Sequence, residues 1–209
     1  RPHRSQEFLL LDRLSATHWQ VMARNAKRVK PGKRYELGNG HTLTVLSASD
    51  AYRTVEIAPP VDDSFLAQHG HVPLPPYIRR ADAPSDETRY QTAYAQAVGS
   101  IAAPTAGLHF TPALLRRLRQ TGIRTAEVTL HVGIGTFEPV RTERLDAHRM
   151  HSEEYHISPV TAEVITEAVR EGRPIVAVGT TVVRTLESAW DADARRIVPG
   201  QRGTDLFIY

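Results

Sequence analysis

Cysteine is absent from the 209-residue sequence. That excludes a disulfide framework, a thiolate nucleophile and a thiolate zinc site, and it suits a reducing compartment. No apolar run approaches the length of a membrane span; the longest, around Ile175–Val178, reads as a buried strand. The start carries no positively charged, apolar signal segment, and neither internal repeats nor low-complexity tracts are visible. What is present is ordinary for a globular protein: 41% hydrophobic and 23% charged residues, enough for one large domain or two small ones. A cytoplasmic, monomeric protein without membrane contact is expected. The chain begins at Arg1 rather than Met and ends on the strand-like Leu206-Phe207-Ile208-Tyr209, so a fragment of a longer protein is expected.

Charge is unevenly spread. The formal balance is +3, yet residues 1–40 hold nine basic side chains against three acidic ones, a local +6. A basic end on a near-neutral body is a footprint of a polyanion partner. The plain alternative is a solvated Lys/Arg-rich surface. Lys27, Arg28 and Lys33 in the basic loop, with Arg79 and Arg80 further on, are the candidate phosphate contacts.

The first stretch reads as β. Phe8–Leu11, Trp19–Ala23, Leu43–Leu46 and Val55–Ile57 are short apolar runs divided by turn signals at Pro31-Gly32-Lys33, Gly38-Asn39-Gly40, Ser47–Asp50 and Pro59-Pro60. This spacing suggests a small antiparallel sheet or barrel over residues 1–68. Pro73–Arg80 is too rich in proline for helix or inner strand and reads as extended chain. A helix is expected over Glu87–Val98 with Asp86 as N-cap.

From about residue 100 onward the chain takes an α/β pattern. Thr111-Pro112 caps and opens a helix that closes at Gly122. Residues 124–132 alternate as a strand. Ser158-Pro159 repeats the cap, with Val160, Ile165, Ala168 and Val169 as the apolar stripe. Ile175–Val178 is a continuous apolar run, as in a sheet buried on both faces, and Gly179-Thr180-Thr181 leads into a last helix.

Three loop-rich segments gather glycine, threonine and histidine where strands should end. Gly99–Thr111 has small residues that let a ligand approach the backbone, and it ends at a helix N-terminus. Thr129–Val140 carries Gly133 and Gly135, but a dinucleotide fingerprint fails because its third glycine would fall at Glu138 and a proline follows. His148–His156 has histidines three apart beside a carboxylate. That set could bind a metal, but the spacing matches no zincin pattern, and the same groups suit acid–base chemistry near neutral pH; no metal is expected. Val178–Arg184 is a strand–turn–helix whose hydroxyls and amides could hold an anion, or form a plain cap.

Taken together, Pro73–Arg80 (PLPPYIRR), Arg89–Ala95 (RYQTAYA), Gly99–Thr111 (GSIAAPTAGLHFT), Thr129–Val140 (TLHVGIGTFEPV), His148–Glu153 (HRMHSE) and Val178–Ser188 (VGTTVVRTLES) resemble the S-adenosylmethionine:tRNA ribosyltransferase-isomerase family of queuosine biosynthesis. The resemblance is strong over residues 70–190 and looser over 1–70. Glu138 stands where the family usually has Gln or Arg, and Ile134 where it typically has Ala. The family's N-terminal segment and C-terminal third have no counterpart here.

The resemblance implies a large mixed α/β, barrel-like catalytic domain, of which residues 69–209 would be part, with a small inserted β-barrel-like domain over residues 1–68. It implies transfer and isomerisation of the ribosyl moiety of S-adenosylmethionine onto the 7-aminomethyl-7-deazaguanine wobble base of tRNA. S-adenosylmethionine is the co-substrate, and no further cofactor is expected. His109, His131, His151 and Glu153 are the candidate proton-transfer groups. Tyr90, Thr105, Gly107, Gly133, Gly135, Thr136, Thr180, Thr181 and Arg184 are the candidate pocket wall. Ligand sites in α/β sheets gather beyond the carboxyl ends of strands, so His109, His131 and the His151/Glu153 pair are expected to converge. A non-catalytic RNA-binding module and an S-adenosylmethionine-dependent RNA methyltransferase are the alternatives; the latter lacks its acidic-Gly-x-Gly loop after a first strand.

Overall fold

Alternating burial along two neighbouring strands organises the first part of the chain. A computed structural model describes residues 6–50, 52–75, 78–133 and 152–208. It divides into two units, Arg1–Pro73 and Leu74–Tyr209. In the first, β1 (Phe8–Arg13), β2 (His18–Ala23), β3 (Arg34–Gly38), β4 (His41–Ser49) and β5 (Tyr52–Ala58) form one antiparallel sheet in the order β1-β2-β5-β4-β3. Every second residue of β2 and β5 points inward. Trp19, Val21, Leu43, Val45, Val55 and Ile57 thereby meet in one core. The helix α1 (Asp63–His69) starts where the Asp62 side chain accepts from the Phe65 amide at 2.8 Å, and lays Phe65 and Leu66 on that core.

The small antiparallel sheet anticipated from sequence is present. Among the described residues it is open: no ladder joins β1 to β3. Its edges still approach, with the Phe8 and Tyr35 rings edge-to-face at 5.0 Å between centroids. Both edge strands carry a register irregularity, at Leu10/Asp12 and at Glu36/Gly38. Such bulges bend an edge while interrupting its pairing. β3 was not legible as a strand, because only Tyr35 and Leu37 of its five residues turn towards the core and charged or small residues separate them.

The second unit is mixed α/β. Its elements are α2 (Asp86–Arg89), a 3-10 turn at Thr105–His109, α3 (Pro112–Gln120), β6 (Thr129–His131), β7 (Glu153–Ile157), α4 (Pro159–Arg170), α5 (Thr180–Ala189), β8 (Trp190–Asp191), β9 (Arg196–Ile197) and β10 (Gly200–Thr204). β7 lies between β10 and β6, antiparallel to both. Tyr155 and Ile157 from β7, Ala162 and Ile165 from α4, Ala189 and Ile197 form the core. The expected caps hold: Thr111 accepts from the Leu114 amide and Ser158 from the Thr161 amide, each at 3.1 Å with proline following.

Several expectations are corrected. The helix over Glu87–Val98 is a single turn, Asp86–Arg89, and Val98 is 98% exposed. Asp86 does not cap it; Ser85 takes the cap position. The Asp86 carboxylate is held instead by both Nη atoms of Arg80, at 2.6 and 2.7 Å, and by the Ala83 amide at 2.8 Å. A fork-to-fork pair outweighs a lone capping bond. The strand over 124–132 shrinks to Thr129–His131. Val160 is 71% exposed because Thr161, Ala162, Ile165, Thr166 and Ala168 define the buried face of α4. Ile175–Val178 joins no ladder among the described residues, and Val176 is 86% exposed. A continuous apolar run becomes an inner strand only where neighbours pair with it on both sides. No described helix is long and apolar enough to cross a membrane.

The Arg80 guanidinium and the Ala83 amide lower the Asp86 pKa to about 2. The unfolded chain's aspartate titrates near 3.9. The contribution of Asp86 is therefore complete above that value and disappears as the pH falls through it towards 2. Asp86→Asn should lower the melting temperature by a constant margin above about pH 5. That margin should narrow as the pH drops towards 3, as read by thermal denaturation across a pH series; a margin independent of pH would exclude the pair as its source.

Candidate functional site

Glu153 begins β7, a strand whose alternation turns Glu153, Tyr155 and Ile157 inward and Glu154 and His156 outward. The residue is 3% exposed. Such a carboxylate needs donors for both oxygens. Oε1 accepts from the Gly133 amide at 2.9 Å, and Oε2 is bound by Nη1 of Arg184. Arg184 projects from α5 with its own side chain only 13% exposed. One buried carboxylate thus ties the end of the β6 segment to α5. Among the described residues, the nearest atoms to a Cβ on Gly133 would be Glu153 Cγ and Oε1, both at 3.9 Å.

Two further contacts draw in the Gly99–Thr111 segment. The Ser100 hydroxyl accepts from the Val132 amide at 3.0 Å and donates to the Ala102 carbonyl at 3.1 Å, while the Ile101 amide donates to the Val132 carbonyl at 3.1 Å. Gly99 has φ +133°, and a Cβ there would lie 2.9 Å from His131 Nδ1. Only glycine allows the loop to pass this close to the imidazole. Gly107 is equally constrained, since a Cβ would fall 2.1 Å from Tyr94 Oη. Burial and the charge of Glu127 raise the Tyr94 phenol's pKa. On its other side the turn meets α5: a Cβ on Gly179 would lie 3.6 Å from Ala106 Cβ.

The structure therefore sets Ala106 of the 3-10 turn against Gly179, the N-cap of α5, and links Gly133 to Glu153 and Arg184. It does not set His131 beside Glu153. His131 pairs with Glu154 and Leu130 with Tyr155, so strand alternation puts His131 on the opposite face of the sheet from Glu153. There it lines a cleft of about 210 Å³ with Ala97, Thr129, Glu154, His156 and Gln201, and its Nδ1 is buried without a hydrogen-bond partner among the described residues. His109 is exposed at the end of the 3-10 turn, and Tyr90 is half-buried after α2. Gly135, Thr136 and His151, like Ile134 and Glu138, lie outside the described residues.

Lys27, Arg28 and Lys33 are exposed, as is Arg79. Arg80 is already engaged by Asp86. No described group of three or more His, Cys, Asp or Glu could hold a metal ion. Sequence reasoning missed Gly99, Ser100 and Tyr94, although all three lie inside the quoted motifs. The signal at Gly99-Ser100 was a glycine next to a hydroxyl residue, which has no meaning until the β6 segment it bonds to is known. Glu154 and His156 lie inside the flagged His148–His156 segment without being named as site residues, and Gln201 carried no signal.

The profile of the family described as queuosine biosynthesis protein matches residues 2–209. A protein of Treponema denticola is 48% identical over 210 residues, covering 97% of this chain and 60% of its own. Proteins of Sorangium cellulosum and Geobacter sulfurreducens are 47% and 44% identical, with 53% and 60% of their lengths covered. All three are named S-adenosylmethionine:tRNA ribosyltransferase-isomerase. The chain thus spans little more than half the length of these curated relatives. The crystal structure of an S-adenosylmethionine tRNA ribosyltransferase from Thermotoga maritima is 29% identical over 99% of this chain and 54% of that one, at a TM-score of 0.34.

Removing one partner of a buried ion pair leaves an uncompensated charge and costs about 3–5 kcal/mol. Glu153→Ala and Arg184→Ala should each destabilise the second unit by that order. The double variant should lose less than the sum by at least about 1 kcal/mol. Denaturant unfolding followed through Trp190, in a Trp19→Phe background, measures this. Strict additivity would mean that the two side chains do not act as one unit.

Proposed function

Because the chain belongs to the queuosine biosynthesis protein family, we propose that the whole protein is a tRNA-modifying transferase. It moves the ribosyl part of S-adenosylmethionine onto the aminomethyl group of a 7-deazaguanine wobble base. Rearrangement to the epoxycyclopentanediol gives epoxyqueuosine, and adenine and methionine leave. The observation that carries this reading is the match of the profile across residues 2–209. The bonding of the Gly99, Gly133, Glu153 and Gly179 segments to one another supports it.

The reaction makes three demands. The sulfonium acidifies the adjacent ribose C5′ hydrogens, so a positioned base can remove one. Adenine leaves more readily when a donor protonates its ring. The incoming amine must be neutral when it attacks. His109, His131 and His151 are assigned to these transfers. Glu153 has both oxygens occupied, so we give it the task of holding Gly133 and Arg184 in place. Tyr90, Thr105, Gly107, Gly133, Gly135, Thr136, Thr180, Thr181 and Arg184 form the proposed pocket wall. The scheme needs no metal or redox cofactor.

In the whole protein the second unit would be part of a barrel-like α/β domain, with the β unit as its small, barrel-like companion. Lys27, Arg28, Lys33 and Arg79 are assigned to tRNA phosphates; Arg80 contributes less, since Asp86 already holds it. A cytoplasmic monomer is the expected form. Incubating the complete protein with S-adenosylmethionine and precursor-containing tRNA should release free adenine and leave the RNA unmethylated. Methylated RNA would favour a methyltransferase, and RNA binding without adenine release would favour a binding module.

A further inference from the structure

Among the described residues, Arg53 is the one buried arginine, and the proposed chemistry does not use it. It sits in β5 at 5% exposure, among the apolar residues Val55 and Ile57. A buried guanidinium ordinarily finds a carboxylate. Among the described residues none is bonded to it. Its hydrogen bonds go to backbone carbonyls: Nε to Val29 at 2.7 Å, Nη2 to Ala26 at 2.5 Å, and Nη1 to Asp50 at 2.9 Å and Tyr52 at 2.6 Å.

Two of those carbonyls belong to the basic loop. The 3-10 turn Ala26–Arg28 holds Lys27 and Arg28 in the open, and Val29 behind it is 1% exposed. The loop is fastened further by the Gly32 amide to the Val45 carbonyl at 2.8 Å, and by Lys33 Nζ to the Arg28 carbonyl at 2.8 Å. Lys27, Arg28, Lys30, Lys33 and Arg34 are all exposed, and no described carboxylate forms a salt bridge with any of them.

We propose that Arg53 is the positioning residue of a preformed phosphate-binding surface made by Lys27, Arg28, Lys30 and Lys33. This rests on assigning the basic loop to RNA. Arg53 fixes the turn through its carbonyls, so the cations need not be ordered when RNA arrives. It also adds a charge beneath the loop that no bonded carboxylate offsets, which raises the potential felt by a phosphate. The loop offers no exposed aromatic ring on which a base could stack; Tyr35, the nearest in sequence, is half-buried against Phe8. The surface therefore takes the phosphodiester backbone of a folded RNA and reads no base sequence.

The test compares Arg53→Met, Arg53→Lys and the triple reversal K27E/R28E/K33E in binding an unmodified tRNA transcript across a salt series. Each phosphate that the protein no longer neutralises lowers the slope of log affinity against log salt by about one unit. Both Arg53 variants should lower that slope and weaken binding roughly tenfold near 0.1 M salt, equally for cognate and unrelated tRNA. Amide exchange in the variants should accelerate at Val29 and Gly32 while β5 amides stay protected. If the triple reversal weakens binding and both Arg53 variants keep the wild-type slope, the loop binds RNA and the positioning role is wrong. If the triple reversal has no effect, the assignment of the loop to RNA fails, and this inference with it. Should Arg53→Met unfold the sheet, Arg53→Lys and the free wild-type protein still decide. Rapid exchange of the Val29 and Gly32 amides in the wild type would show that the surface is not preformed.

Discussion

A carboxylate that is almost fully buried must satisfy two oxygens or leave the fold unstable. In the second unit Glu153 meets that condition by accepting from a backbone amide and from Arg184. The constraint reaches beyond the pair itself. It fixes where Gly133 leaves β6, how α5 lies against β7, and through Val132 how the Ser100 loop is attached. Three motifs far apart in sequence share one frame because a single charge has nowhere else to go. The same bonding gives each oxygen of Glu153 a donor within the fold. A carboxylate with both oxygens engaged organises a site more readily than it moves a proton through one.

The first unit meets the opposite case, a buried cation, in a different way. Arg53 is solvated by carbonyls and not neutralised by an acid. Carbonyl dipoles satisfy the guanidinium's donors but leave its charge in place. The loop that supplies Ala26 and Val29 gains order from this while keeping its lysines and arginines outward. In both units a buried charge determines the position of backbone that the sequence alone leaves undefined.

The parts that were legible follow from local chemistry. Thr111-Pro112 and Ser158-Pro159 announce their helices through a hydroxyl and a fixed φ, and both start there. β2, β4 and β5 carry apolar residues at strand spacing with turn-forming residues between, Pro31-Gly32-Lys33 and Gly38-Asn39-Gly40 before β4 and Asp50 before β5. Elements whose existence depends on a distant partner were not legible. β7 reads as two glutamates and a histidine around Tyr155, and becomes a strand because β6 and β10 flank it. Asp86 reads as a cap until Arg80 is seen to claim it. Ile175–Val178 shows the reverse failure, a strong strand pattern with no ladder among the described residues. Of the candidate site, the segments that meet were visible as motifs. That His131 and Glu153 occupy opposite sheet faces depends on a register that only the pairing with β7 supplies.

The frame of the second unit depends most on the bond between Glu153 and the Gly133 amide. Native-state hydrogen exchange reads that amide directly. If the latch holds the β6 exit in place, the Gly133 and Val132 amides should be protected to nearly the degree of the β7 core amides at Tyr155 and Ile157, and Glu153→Ala should release them selectively. Exchange of the wild-type Gly133 amide at the rate of an unstructured chain would contradict the claim that this buried carboxylate organises the site.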